Sequence, residues 1–212
     1  MIRGYSSDVK KINIWSGFIL KFVAPFKMDH MKKLISAGFF VTLVAGMLVA
    51  TPETVGQEAE TTVQWMTFEE AVEKSKTEKR KIFIDVYTDW CGWCKVMDKK
   101  TFNEPAVAKL LNEKYYPVKF NAEQREDVVF NGTTFKFIEY GGRGTHQLAA
   151  ALLNNQLSYP SVVFLNEEMA IVHIMKGFRK APEFHKMAEF IGDDHYRSTK
   201  MDQWESGYQS PF

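Results

Sequence analysis

The 212-residue sequence predicts an α/β fold with a central mixed sheet flanked by helices. Two observations carry that expectation. Between residues 68 and 121, β-branched apolar runs alternate with segments at helical spacing. Further on, two strand-like runs, 161–165 and 170–178, follow one another as a hairpin. Alternation favours parallel neighbours and a hairpin adds an antiparallel one, so the sheet should be mixed. A 45% hydrophobic and 14% aromatic content supplies the core of one domain with appendages.

The elements follow in order. Thr67-Phe68-Glu69-Glu70 is a capping-box pattern that opens a helix with Phe68, Ala71 and Val72 inward. KIFIDVY, 81–87, is apolar except for Lys81 and Asp85 and reads as a strand covered on both faces. Val96, Met97 and Lys99 to Phe102 are compatible with a helix. Asn103 is placed to cap a helix over 104–113, with Pro105 in its first turn and Val107, Leu110 and Leu111 on one face. YYPVKFN, 115–121, reads as a second strand. SVVFL and AIVHIMKGF, divided by Asn166-Glu167-Glu168, form the hairpin. APEFHKMAEFI closes the domain with Phe184, Met187 and Ile191 at helical spacing.

The 38 residues between Asn121 and Pro160 exceed what this architecture needs. They hold FNGTTFKF, EYGGRG and a helix expected over 145–157. Two readings stand: an ornamented loop ahead of an ordinary helix, or a substrate- or partner-binding insertion. Beyond Asp194, Trp204, Tyr208 and Phe212 show no periodicity, so both a packed and a mobile tail are open. The expected organisation is an N-terminal extension and signal over 1–50, a linker over 51–63, a domain over 64–193 and a tail over 194–212.

From Met31 the chain has two lysines and then 17 apolar or small residues, Leu34 to Ala50. That is the pattern of a secretory signal, short for a bilayer span of about 20 residues, although a retained anchor is the alternative. Residues 1–30 are unusual ahead of such a segment, which makes Met28 or Met31 the expected start. Cleavage after Ala50 would leave 20 basic against 24 acidic residues, where the whole chain carries a formal +1. With no basic block, nucleic acid is not the expected partner. An extracytoplasmic, periplasm-like location follows as an expectation.

Cys91 and Cys94 are the only cysteines. A disulfide across two intervening residues closes too small a loop to stabilise much by restricting the unfolded chain. Zinc needs four ligands, and His30, His146, His173, His185 and His195 form no short-spaced pair, so no metal is expected. A redox pair fits better. Cys91 follows a buried strand and opens a helix, where the helix dipole and free N–H groups favour a thiolate. Cys94, one turn on, faces the same way and can attack a mixed disulfide at Cys91. Asp85, buried, would have a raised pKa and could relay a proton from Cys94. Trp90 and Trp93 either cover apolar surface or shape a docking surface around the thiol. His173 reads as structural.

IDVYTDWCGWCK, 84–95, resembles the active-site segment of the thioredoxin superfamily. It is most like the domains with an aspartate before Trp-Cys and a Cys-Lys ending, such as the C-terminal domain of membrane thiol:disulfide interchange proteins. The resemblance spans about 64–193 and implies a three-layer thioredoxin-like fold with an enlarged segment before a cis-proline. It places a buried acid at Asp85, six residues before Cys91, and the cis-proline at Pro160 in SYPSVVFL. Tyr159 would then offer its backbone to an extended substrate over Cys91, and Lys119 would lie near the acid. The implied activity is thiol–disulfide oxidoreduction with Cys91, Cys94 and Asp85 as catalytic residues. Trp90, Trp93, Tyr159 and Pro160 would bind substrate. Partners would be protein thiols or disulfides and an upstream redox donor or acceptor, with no cofactor and with membrane contact only through a retained signal. Reduction is the expected direction, and a non-enzymatic binding module is the alternative. Trp93 stands where thioredoxin has proline, so the redox potential does not transfer.

Overall fold

The structure is a computed structural model and describes residues 62–212. The signal, start-site and cleavage expectations fall outside those residues, as does most of the expected linker. Helix α1 (Phe68–Thr77) opens with the capping box: Thr67 Oγ1 accepts from the Glu70 N–H and Glu70 accepts from the Thr67 N–H at 2.8 Å. Phe68 and Ala71 are buried and Val72 is half-buried. Strand β1 (Lys81–Tyr87) is buried over its first six residues. Helix α2 (Gly92–Met97) runs into a π-helical turn at Asp98–Phe102, and α3 (Pro105–Lys114) follows. The cap expected at Asn103 is not there. The π turn adds a residue per turn, so the Asn103 N–H donates to the Asp98 carbonyl five residues back at 3.1 Å. The chain breaks one residue later, and Glu104 becomes the extended N-cap, without a side-chain bond.

Strand β2 (Tyr115–Asn121) leads into the long segment, which contains two hairpins. β3 (Val128–Phe130) pairs with β4 (Thr133–Phe135), and β5 (Phe137–Tyr140) with β6 (Arg143–His146). Their turns, Asn131-Gly132 and Gly141-Gly142, hold both residues at positive φ, which suits the twist of a two-residue hairpin. Helix α4 spans only Gln147–Leu152, shorter than the expected 145–157. Thr145 is held in β6 opposite Ile138, and His146 caps the helix, its Nδ1 accepting from the Leu148 N–H at 3.2 Å. Asn154 and Asn155, at φ 51° and 58°, end it.

Strands β7 (Ser161–Leu165) and β8 (Ile171–Lys176) form the expected hairpin, and α5 (Ala181–Gly192) follows. The main sheet runs β2-β1-β7-β8, with β1 parallel to β2 and the other neighbours antiparallel. The alternation of side chains along a strand divides the core between the two faces. Ile82, Ile84 and Val86 join Phe68, Val118, Phe120 and Leu148 on one face. Phe83 joins Phe102, Leu111, Tyr115, Phe164 and Phe184 on the other. The tail packs rather than hanging free: α6 (Met201–Trp204) sets Trp204 against Phe190 with ring centroids 5.2 Å apart.

Candidate active site

The buried strand β1 emerges at Tyr87, and the next residues turn back to start α2. The Cys91 N–H donates to the Thr88 carbonyl at 3.1 Å, closing that turn. Cys91 is the N-cap of α2, in extended backbone, and its Sγ accepts from the Cys94 N–H at 3.1 Å. The two cysteines form a disulfide with Cα atoms 5.3 Å apart, and both are buried. The residues beside them are not buried: Trp90 is 68% exposed and Trp93 62%.

On the strands that precede and flank the pair, parity and register bring Asp85 and Lys119 together. Both point to the face that carries Phe83, and they are direct partners across the β1–β2 ladder. Lys119 Nζ lies 2.6 Å from Asp85 Oδ2 and also contacts Asp98 on the π turn. The rings of Trp65 and Tyr87 stand 4.9 and 5.1 Å from that ammonium. Asp85 is 1% exposed, and its Oδ1 has no hydrogen-bond partner among the described residues. Burial pushes its pKa up to about 6 against the downward pull of Lys119. Burial also works to lower the Lys119 pKa, but the attraction of Asp85 and the bonds to Asp85 and Asp98 outweigh it and raise the pKa.

Peptide bond Tyr159-Pro160 is cis. Ser161 pairs with Val86, so the cis bond lies at the end of the sheet where β1 turns toward the cysteines. The Pro160 carbonyl accepts from the Gly177 N–H at 2.8 Å, whereas among the described residues the Tyr159 backbone makes no hydrogen bond. The Tyr159 ring meets Trp90 edge-on at 6.0 Å. Trp93 lies against Phe178 at 5.4 Å. Thus Asp85 meets Lys119, Cys91 meets Cys94 and Trp90 meets Tyr159, while His173 sits in mid-β8 opposite Phe164.

Three neighbours escape sequence reading. Asp98, one helical turn on from Cys94 at the end of α2, contacts Lys119, and its spacing of four from Cys94 was a signal. Glu123, at the start of the long segment, accepts from the Trp90 indole N–H at 2.9 Å. Phe178 follows Gly177, whose φ of 79° turns the chain back after β8. Neither has a sequence signal. Among the described residues no group of three or more His, Cys, Asp or Glu side chains is placed to hold a metal.

The Thioredox_DsbH family, described as "Protein of unknown function, DUF255", matches residues 49–192, well over half of the chain. The chain belongs to the Thioredox_DsbH family. Its Cys-x-x-Cys disulfide and its mixed sheet between helices make it a thioredoxin-superfamily domain. "Uncharacterized protein B0495.5" of Caenorhabditis elegans is 37% identical over 73 residues, 34% of this chain and 10% of that protein. "Thiol:disulfide interchange protein DsbD" of Vibrio vulnificus is 44% identical over 39 residues, 18% of this chain and 7% of that protein. The matched parts are therefore a tenth or less of these relatives' own length. A solved structure of "DsbH Oxidoreductase" is similar with a TM-score of 0.46 and 16% identity, over 70% of this chain and 94% of that one.

Proposed function

We propose that this Thioredox_DsbH chain is a thiol–disulfide oxidoreductase that reduces disulfides in protein substrates outside the cytoplasm. The observation that carries the reading is the Cys91–Cys94 disulfide at the mouth of α2, the helix that follows the strand holding the buried Asp85 and its Lys119 partner. In the reduced form the Cys91 thiolate attacks one sulfur of a substrate disulfide. A mixed disulfide forms and the other substrate sulfur leaves as a thiolate. The Cys94 thiol then loses its proton to Asp85 through water and attacks Cys91 Sγ. That step closes the Cys91–Cys94 bond and frees the second substrate thiolate. Two electrons have passed to the substrate, and a donor dithiol must restore the pair. A carboxyl group with a pKa near 6 can accept and release this proton near neutrality.

The reductant direction rests on the likeness to a thiol:disulfide interchange protein, and export rests on the signal-like segment at 31–50. The test is reduction of insulin by dithiothreitol, followed as turbidity. Wild type should accelerate it well beyond Cys91→Ser. Rates no different from that variant would leave a binding module instead. The reduction potential of the pair should lie nearer about −270 mV than about −120 mV, the reductase and oxidase extremes. N-terminal sequencing of the native protein from an extracytoplasmic fraction should start near residue 51. An intact 1–30 segment there would defeat the export reading.

A further inference from the structure

Beside the disulfide, Trp93 forms part of the wall of an open cleft of about 430 Å³. Val96, Phe178, Pro182 and Phe212 supply its other apolar walls. Lys100, Lys180 and Glu104 also line it and are exposed, leaving an excess of one positive charge. Lys114 and Lys186 elsewhere on the domain are paired, with Asp193 and Glu205. Among the described residues Lys100 and Lys180 have no such partner.

Phe212 lies beyond the family-matched residues 49–192, so this wall is an addition to the shared domain. The tail carries it there along α5. Lys186 pairs with Glu205 at 2.8 Å, Tyr208 Oη lies 2.9 Å from His185 Nδ1, and the Phe212 ring meets the His185 ring edge-on at 5.6 Å.

We propose that this cleft is a substrate-selecting subsite: it takes an aromatic or large aliphatic side chain of an extended polypeptide substrate, with an acidic residue of that substrate set against Lys100 and Lys180. The inference rests on the oxidoreductase reading and adds to it a substrate class. Continuity with the cysteines argues for a polypeptide. Trp93 is two residues from Cys91, a Cα separation of at most ~7 Å, so a strand joined to Cys91 through its own sulfur reaches the cleft within a few residues. A volume at the lower end of the usual range for ligand pockets, roughly 300–1,000 Å³, suits one or two side chains rather than a folded element. The apolar walls supply affinity through burial, and the unpaired lysines select charge in a way that salt will screen.

Two synthetic peptides test this, each closed by the same internal disulfide. One carries Phe and Glu two and three residues after its second cysteine, and the other carries Ser and Lys. With dithiothreitol as the recycling reductant, wild type should show a KM about tenfold lower for the Phe/Glu peptide and similar kcat for both. Phe212→Ala should bring the KM ratio toward one, and the Lys100→Glu, Lys180→Glu pair should reverse the preference for acid over base. High salt should shrink the charge part and spare the apolar part. Equal KM values, or a preference that survives both sets of changes, would overturn the subsite. Hydroxyethyl disulfide run in parallel separates the two ideas. Its reduction without peptide preference tells against the subsite alone; failure to reduce it or either peptide tells against the oxidoreductase reading as well. Dimerisation of the protein that disappears in Phe212→Ala would assign the cleft to a second copy and also overturn the proposal.

Discussion

At Asp85, one carboxyl group links stability to chemistry. Its folded pKa of about 6 lies above the unfolded value of about 3.9, so the folded state holds the proton more tightly. The stability from this group is fully present below pH about 4 and is lost as pH rises through about 6. Above that, the buried carboxylate costs about 3 kcal/mol, even with Lys119 beside it. Asp85→Asn should therefore raise unfolding free energy by about that amount at pH 8 and change it little at pH 4. Denaturant titrations at the two pH values check this, and an equal effect at both would remove the buried-acid account. The same variant should slow resolution of mixed disulfides, because Cys94 loses its proton acceptor. Lys119→Met takes away the group that pulls the Asp85 pKa down, so the pH midpoint of resolution should move up. A midpoint unchanged in Lys119→Met would separate Asp85 from the titration. Asp85 was legible because its oddity is local, a charge inside an apolar run. Asp98 was only half legible: its spacing from Cys94 puts it on the same helix face, but its partner Lys119 is set by the β1–β2 register.

Helix α2 is the element that makes the two cysteines unequal. Cys91 sits at the N-cap, where the unpaired N–H groups of the first turn point toward its sulfur, whereas Cys94 lies inside the helix. After reduction, Cys91 should alkylate with iodoacetamide faster than Cys94 at pH 7, as read by mass spectrometry of the labelled peptides. Equal slow rates would take the nucleophile role from Cys91. By the same logic Cys94→Ser should accumulate mixed disulfides with substrates, and trapping by Cys91→Ser instead would reverse the roles. The segment between β2 and β7 is also unequal to its sequence reading. FNGTTFKF and EYGGRG each carry a two-residue turn suited to a hairpin, but the flanking strands are only three or four residues long and few of their residues are buried. Such short strands lack the apolar alternation that would announce them. Gly144 fixes the second hairpin. A Cβ there would lie 2.1 Å from Phe137 Cζ and 2.8 Å from the Ile138 carbonyl oxygen. Gly144→Ala should cost about 1–3 kcal/mol through the forced shift of Phe137 and the backbone. Gly92→Ala, where a Cβ meets nothing within 4 Å, should not destabilise the fold. Comparable stability of both variants in denaturant would show that the hairpin yields freely.

Across the described molecule, the sheet and the tail are held by different means. The sheet was legible because its strands carry their own pattern: Ile82, Ile84 and Val86 against one face, Phe83 against the other. The tail has no such pattern, since its contacts come from scattered residues that each find a place on α5. Tyr196, Met201 and Trp204 pack, partly buried, on the core that contains Phe190 and Ile191. The junction is fixed at the tail's first residue, where Lys81 Nζ, 4% exposed, meets Glu167 at 2.8 Å and Asp194 at 2.9 Å. Truncation after Asp194 keeps the Asp194 contact and strips the aromatic cover from α5. One large buried side chain contributes about 1.5–3 kcal/mol, and Tyr196, Met201 and Trp204 are only partly buried, so the loss should be about 2–4 kcal/mol. The deletion removes the Arg197–Glu167 ion pair at the β7–β8 turn but none of the strand pairings and not the disulfide. The truncated protein should therefore still unfold cooperatively and should keep the faster alkylation of Cys91. It should also lose the peptide preference assigned to the cleft, because Phe212 goes with the tail. An unchanged denaturation midpoint would mean that the tail contacts contribute nothing to stability, and loss of cooperative unfolding would make the tail part of the core itself.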